Sequence, residues 1–256
     1  MAAGDLRATF DEDPDRYARA RPTYPDALVD AIFDRLPPSP RILELGPGTG
    51  QLTAALLERG ARVTAVEIGE RFIAHLQRTL PTVDVMHGEF ETAALPLETF
   101  DAVVVATAYH WIRERRVERP HELLVLGGWF GVIDLVQVDD PVDQGYFDRV
   151  TPIYERFGDR SHRQLPVRGE VRPVIADEVA ASDCFETPLV IEVDWDQTYS
   201  AAQYRDLLMT YSGTLIRPPA EREALVDALV EVIDDEYDGT LTRPLVAALT
   251  LAQKPD

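Results

Sequence analysis

The sequence predicts a doubly wound α/β fold, a mostly parallel sheet with helices on both faces. Three observations carry this reading. Short apolar runs alternate with longer amphipathic segments from Arg41 to Val138, the pattern of repeated strand–helix units. One run, Phe100–Ala106, has a core of Ala-Val-Val-Val-Ala that is apolar on both faces, as a strand covered on both sides requires. The first run passes directly into a glycine-rich turn, Gly46-Pro47-Gly48-Thr49-Gly50, and then into a helical pattern.

Taken in order, the first forty residues read as polar helical segments broken at Pro14, Pro22, Pro25, Pro37, Pro38 and Pro40. Ala27, Leu28, Ala31, Ile32 and Leu36 share one helical face, so Pro25–Leu36 is expected to be a helix that the proline cluster ends. Strands follow at Arg41–Leu45, Arg62–Glu67, Val83–His87 and Phe100–Ala106. Helices are expected through about Arg59 and over about Glu70–Thr79. Arg113–Leu126 reads as a helix stopped by Gly127-Gly128, and Trp129–Val138 as a fifth strand. Beyond Asp139 the pattern loosens. Helices are expected at Asp143–Phe157, Ile175–Phe185, Ala201–Thr210 and Glu221–Asp234, with strands at Leu189–Trp195 and Leu245–Ala252. Gly158–Arg172 reads as a polar loop; its His162 and Arg163 carry no local sign of a ligand role.

Composition bounds the function. The chain has 256 residues and a formal net charge of -20. An acidic chain without a basic stripe is not expected to bind nucleic acid. No apolar run approaches the ~18 residues of a membrane span, and the amino terminus lacks a secretory pattern. Cys184 is the one cysteine, which excludes a disulfide framework and a multi-cysteine metal site. The five histidines show no paired ligand spacing, so no metal is expected. A cytoplasmic protein, monomeric or homodimeric, is the resulting expectation. Lys254 is the only lysine, a mark of compositional bias.

The chemistry is concentrated in Ile42-Leu43-Glu44-Leu45-Gly46-Pro47-Gly48-Thr49-Gly50-Gln51-Leu52. Glycines let a backbone approach a ligand closely, and the helix start offers N–H groups to an anion. Glu67 ends the next strand, where a carboxylate can accept from both hydroxyls of a ribose. The spacing is G-x-G-x-G rather than the G-x-G-x-x-G of a dinucleotide site, and no G-x-x-x-x-G-K-[ST] loop occurs. Glu44 lies inside an apolar strand, where an unpartnered acid is costly.

These segments resemble the class I S-adenosylmethionine-dependent methyltransferases. ILELGPGTGQLT, VTAVEIGERF, HGEFETAALP and FDAVVVATAYHW occur in the family's order and separations. YARARPTYP and TYSGTL…TRPLVAALTLA look like a bacterial subgroup acting on small molecules. The resemblance implies a Rossmann-like sheet of seven strands, the last antiparallel, with a small helical cap. It implies one domain over 1–256: an N-terminal cap to about 40, a cofactor core over about 41–138, and an acceptor cap with the last two strands over about 139–256. It also implies S-adenosylmethionine as cofactor and S-adenosylhomocysteine as product. Gly46, Gly48 and Gly50 would floor the methionine part, Glu44 would help order its amino group, and Glu67 with Ile68 would meet the ribose. Glu89 and Phe90 would meet the adenine. Ala106 and Thr107 would lie near the amine and methyl end, and Tyr17 and Arg21 near the carboxylate or acceptor.

Tyr24, Tyr109, His110, Trp111 and Tyr211 are the candidate acceptor-pocket residues. His110 is the candidate catalytic base, since imidazole titrates near neutrality; a pocket-shaping role is the alternative. Arg113, Arg115, Arg116 and Arg119, interleaved with Glu114 and Glu118, read as a solvated helical face. The expected reaction is methyl transfer to a small-molecule acceptor. Another reaction on the same cofactor scaffold, or a non-catalytic cofactor-binding protein, are the alternatives.

Overall fold

The computed structural model describes residues 10–159 and 165–256; His162 and Arg163 lie outside them. In chain order the elements are α1 (Pro14–Ala20), α2 (Asp26–Phe33), β1 (Arg41–Leu45), α3 (Gln51–Glu58), β2 (Arg62–Glu67), α4 (Glu70–Thr79), β3 (Asp84–His87) and β4 (Phe100–Ala106). Then follow α5 (Glu118–Leu123), β5 (Leu124–Gln137), α6 (Tyr146–Arg156), α7 (Val174–Ala180), β6 (Leu189–Asp194), β7 (Gln197–Ser200), α8 (Ala201–Leu208), α9 (Ser212–Leu215), α10 (Pro219–Glu236), β8 (Thr240–Arg243) and β9 (Leu245–Gln253).

Two compact units form. The sheet unit comprises Thr23–Leu135, Arg172–Val193 and Ala247–Asp256. Its seven strands run in the order β3-β2-β1-β4-β5-β9-β6. The pairs β3/β2, β2/β1, β1/β4 and β4/β5 are parallel. Strand β9 runs the other way: the Gly127 N–H donates to Lys254 O while the Lys254 N–H donates to Gly128 O. The fold class read from the sequence is therefore the one observed. The order reverses at β1, so β1 and β4 leave a crevice at their carboxyl ends, where open α/β sheets receive ligands. Leu43, Val103, Val105, Leu123, Leu124, Phe130 and Val132 pack as one buried cluster that holds the sheet rigid.

The helix expected over Arg113–Leu126 differs from the sequence reading. Helix α5 is only Glu118–Leu123, and β5 begins at Leu124. The glycine pair does not stop a helix but lies inside the strand. The β4/β5 register passes from Phe100↔Leu124 to Ala102↔Trp129, an irregularity that Gly127 (φ +70°) and Gly128 accommodate. A Cβ on Gly128 would lie 2.9 Å from Val125 O. The helix is ended from afar: Lys254 Nζ donates to His121 O at 3.0 Å and Leu124 O at 2.9 Å, satisfying carbonyls at the helix carboxyl terminus. The sole lysine is thus a buried cap.

The second unit comprises the described part of Met1–Pro22, with Val136–Val171 and Asp194–Val246. Here α1, α6, α8, α9 and α10 accompany a small antiparallel sheet, β7 with β8. That pair was not foreseen: its strands are short and polar, and Thr198 and Thr242 hydrogen-bond across it at 2.8 Å. Its core is rich in tyrosine, with Tyr146 and Tyr204 buried among Leu207, Leu225, Leu229, Ile233 and Leu241. Ser200 and Gln203 cap α8 reciprocally, and Pro219 opens α10.

Candidate active site

The turn after β1 is built on three positive-φ glycines: Gly46 (+64°), Gly48 (+58°) and Gly50 (+93°). Only glycine takes such angles without strain. Side chains here would also crowd their neighbours. A Cβ on Gly46 would lie 3.0 Å from Ala108 Cβ, and one on Gly50 would lie 2.7 Å from Leu80 Cδ1. Gly50 is the cap residue of α3 and supplies no side-chain bond, which leaves the first N–H groups of that helix without a side-chain cap.

Two carboxylates hold this turn from either side. Glu67, at the end of β2 and 5% exposed, accepts from the Gly48 N–H at 3.0 Å through Oε2. Its Oε1 accepts from the N–H groups of Ile68 and Gly69, each at 2.8 Å. Glu44, 2% exposed, accepts from Thr53 Oγ1 on α3 at 2.7 Å. Burial pushes the Glu44 carboxyl up to about 7, against the Thr53 hydrogen bond and with help from the Glu67 charge. Glu44 therefore ties β1 to the first turns of α3, and the glycine loop spans that tie.

Across the crevice, β4 ends at Ala106 and the chain turns through Thr107, which has φ +52°. A β-branched residue at positive φ is strained, and such strain concentrates at functional sites. The Thr107 N–H donates to Ile133 O at 2.8 Å, and Thr107 Oγ1 shares a hydrogen bond with the Tyr24 hydroxyl at 3.2 Å. His110 is exposed and its ring lies 4.8 Å from that of Trp111. After β3, Glu89 is exposed and Phe90 is buried beneath Arg119, whose guanidinium lies 5.2 Å from the Phe90 ring.

The structure thus brings Glu44, Gly46, Gly48, Gly50, Glu67, Ile68, Glu89, Phe90, Ala106, Tyr24, His110 and Trp111 into the sheet unit. Tyr109 is a correction. Its ring is buried against Phe130, and its hydroxyl donates to Glu178 Oε2 at 2.9 Å while accepting from Arg116 Nε at 3.1 Å. It is a core residue rather than an acceptor wall: within the short helical turn at 109–111 its side chain is buried while that of His110 is exposed. Arg116 and Arg119 are not a solvated helical face either. Arg116 pairs with Glu178, and Arg119 donates to Phe90 O and Ala93 O. Residues 113–117 are not helical, so the helical spacing never applied. Tyr17, Arg21 and Tyr211 belong to the other unit, where Arg21 lies 4.9 Å from the Tyr17 ring and 4.6 Å from the Tyr211 ring. Thr53 and Ala108 are the site residues that sequence reasoning missed. A threonine nine residues after a buried acid is the one signal that would have found any of them.

No group of three or more His, Cys, Asp or Glu among the described residues is arranged to hold a metal ion. Among those residues no helix is long and apolar enough to cross a membrane.

Comparison with known proteins agrees with the crevice. The family described as "Methyltransferase domain" matches residues 42–128, the span from β1 into β5. An uncharacterized methyltransferase of Mycobacterium tuberculosis is 29% identical over 230 residues, 90% of this chain and 87% of the relative. The YcgJ protein of Bacillus subtilis has a similar structure, with TM-score 0.55 and 18% identity over 90% of this chain and 98% of that one. Phosphoethanolamine N-methyltransferase 2 of Haemonchus contortus, solved with S-adenosyl-L-methionine, has TM-score 0.50 and 16% identity over 90% of this chain and 53% of that one. A bare-glycine turn, a carboxylate joined to it from the next strand and an uncapped helix start all lie within the span that matches the methyltransferase-domain family, and the chain is similar to S-adenosylmethionine-dependent methyltransferases.

Proposed function

We propose that this protein transfers the methyl group of S-adenosylmethionine to a small-molecule acceptor, with residues 1–256 acting as one catalytic domain in the cytoplasm. The carrying observation is the positive-φ glycine turn hydrogen-bonded to Glu67 at the strand-order reversal. The cofactor supplies an already activated methyl on a sulfonium. The remaining task of the chain is to bind, orient and exclude water.

In this reading Gly46, Gly48 and Gly50 admit the methionine part, and the open start of α3 receives its carboxylate. Glu44, anchored by Thr53, sets the position of the loop that meets the amino group. Glu67 and Ile68 take the ribose, while Glu89 and Phe90 border the adenine. Ala106 and Thr107 stand at the methyl end, with Tyr24, His110 and Trp111 on the acceptor side. His110 takes an acceptor proton only where the acceptor keeps one at neutral pH. The net charge of -20 favours a small acceptor over a nucleic acid.

Titration calorimetry with S-adenosylmethionine, S-adenosylhomocysteine and NAD tests the cofactor roles. The first two are expected to bind and NAD is not. S-adenosylhomocysteine release is then measured with small metabolites and with RNA. Turnover confined to RNA would overturn the acceptor class, and no release with any acceptor despite tight binding would favour a non-transferring protein.

A further inference from the structure

We propose that the helical unit binds an oxyanion, a carboxylate or phosphate on a small organic ligand, through Arg21 and Arg243.

Both arginines are half-buried and both flank one ring. The guanidinium carbon of Arg21 lies 4.6 Å from the Tyr211 centroid, and that of Arg243 lies 5.9 Å from it. Their hydrogen-bond partners are all neutral. Arg21 donates from Nε to Thr210 Oγ1 and from Nη2 to Thr210 O, each at 2.9 Å. Arg243 donates to Gln137 Oε1 from Nε at 2.9 Å and from Nη2 at 2.6 Å, and from Nη1 to the Tyr211 hydroxyl. Among the described residues neither has an Asp or Glu partner. That is unexpected in a chain with 45 acidic residues. In the same unit Arg168 pairs with Asp140, Asp194 and Asp196, and Arg205 pairs with Glu223 and Asp227.

The surrounding tyrosines do not supply the missing negative charge. Burial holds Tyr199, Tyr204 and Tyr154 above the ordinary phenol value, Tyr154 at about 12, although Arg243 opposes the rise. They remain neutral donors. One is unused: the Tyr199 hydroxyl is buried and has no hydrogen-bond partner in a residue 6% exposed. Two cations without counterions and an orphan phenol are costly when nothing negative meets them. An oxyanion answers all three, because guanidinium forks and phenols converge on oxygen acceptors. Nη1 of Arg21 donates to nothing among the described residues.

The test uses the full chain labelled with 15N-arginine. Succinate and inorganic phosphate are titrated in, with succinamide as the neutral control. The Nε–Hε signals of Arg21 and Arg243 are expected to shift saturably with either anion and not with succinamide. Affinity should fall at least tenfold in Arg243→Gln and recover in part in Arg243→Lys. Arg21→Gln serves as the second variant should Arg243→Gln fail to fold. Absence of a saturable shift, or unchanged affinity in the folded variants, overturns the anion site.

Discussion

Replacing Glu67 by alanine separates two roles that the structure overlays in one carboxylate. The side chain accepts three backbone N–H bonds, from Gly48, Ile68 and Gly69. Hydrogen bonds to a charged group contribute about 1.5–3 kcal/mol each. Water can reach the vacated N–H groups once the side chain is gone, so the net loss of stability should be about 2–3 kcal/mol. For a chain of this length that lowers Tm by roughly 4–12 °C. The ribose role adds a separate loss through the remaining acceptor capacity of the same carboxylate, at least tenfold in affinity, since ~1.4 kcal/mol is a factor of ten. Thermal unfolding without ligand reads the first effect, and calorimetry with S-adenosylhomocysteine on the folded variant reads the second. Glu67→Asp, which keeps the charge but retracts it, should lose affinity with a smaller change in Tm. A lowered Tm with a Kd within twofold of the parent would leave Glu67 as a loop clamp and refute the ribose assignment.

Other expectations follow from the same crevice. The Glu44 carboxyl titrates near 7 in the folded chain against about 4.5 unfolded. Its contribution to stability is therefore full below pH 4.5 and lost as the pH rises through 7, about 3 kcal/mol at the limit. Glu44→Gln should flatten the fall in Tm between pH 5 and 8 relative to the parent; an identical pH profile refutes the buried-acid reading. Gly46→Ala places a Cβ 3.0 Å from Ala108 at φ +64°. It should cost about 1–2 kcal/mol and weaken S-adenosylhomocysteine binding, and an unaltered Tm would show that the turn is looser than described. Tyr109→Phe removes a hydroxyl from Glu178 and Arg116, so it should cost about 1 kcal/mol and leave turnover unchanged; a fall in turnover with normal stability would return Tyr109 to the acceptor side. His110→Ala and Trp111→Ala should lower acceptor turnover at saturating cofactor more than they weaken cofactor binding. Loss of cofactor affinity with normal turnover would misplace the acceptor side.

The sheet and its ligand crevice were legible in the sequence because they rest on local signals. Continuous apolar strands state that both faces are covered, and a glycine turn between strand and helix states where a ligand can approach. Glu67 is readable for the same reason, since strand length alone carries it to the carboxyl edge beside the turn. What the sequence could not state depends on residues far apart in the chain. Lys254 looked like a compositional accident, yet it caps a helix ended at Leu123 and so replaces the stop that the glycine pair was expected to provide. Tyr109 and His110 are neighbours in sequence, and only packing against Phe130 and Glu178 decides that the first is core while the second is exposed. The pairing of β7 with β8, forty residues away, left no apolar run to betray it. Arg21 and Arg243 are two arginines among many until the fold sets both about one tyrosine ring without a carboxylate. Local sequence encodes the conformation and exposure pattern of a segment. Which charge meets which partner is settled by long-range packing, where a single neighbour decides whether a buried polar group is satisfied.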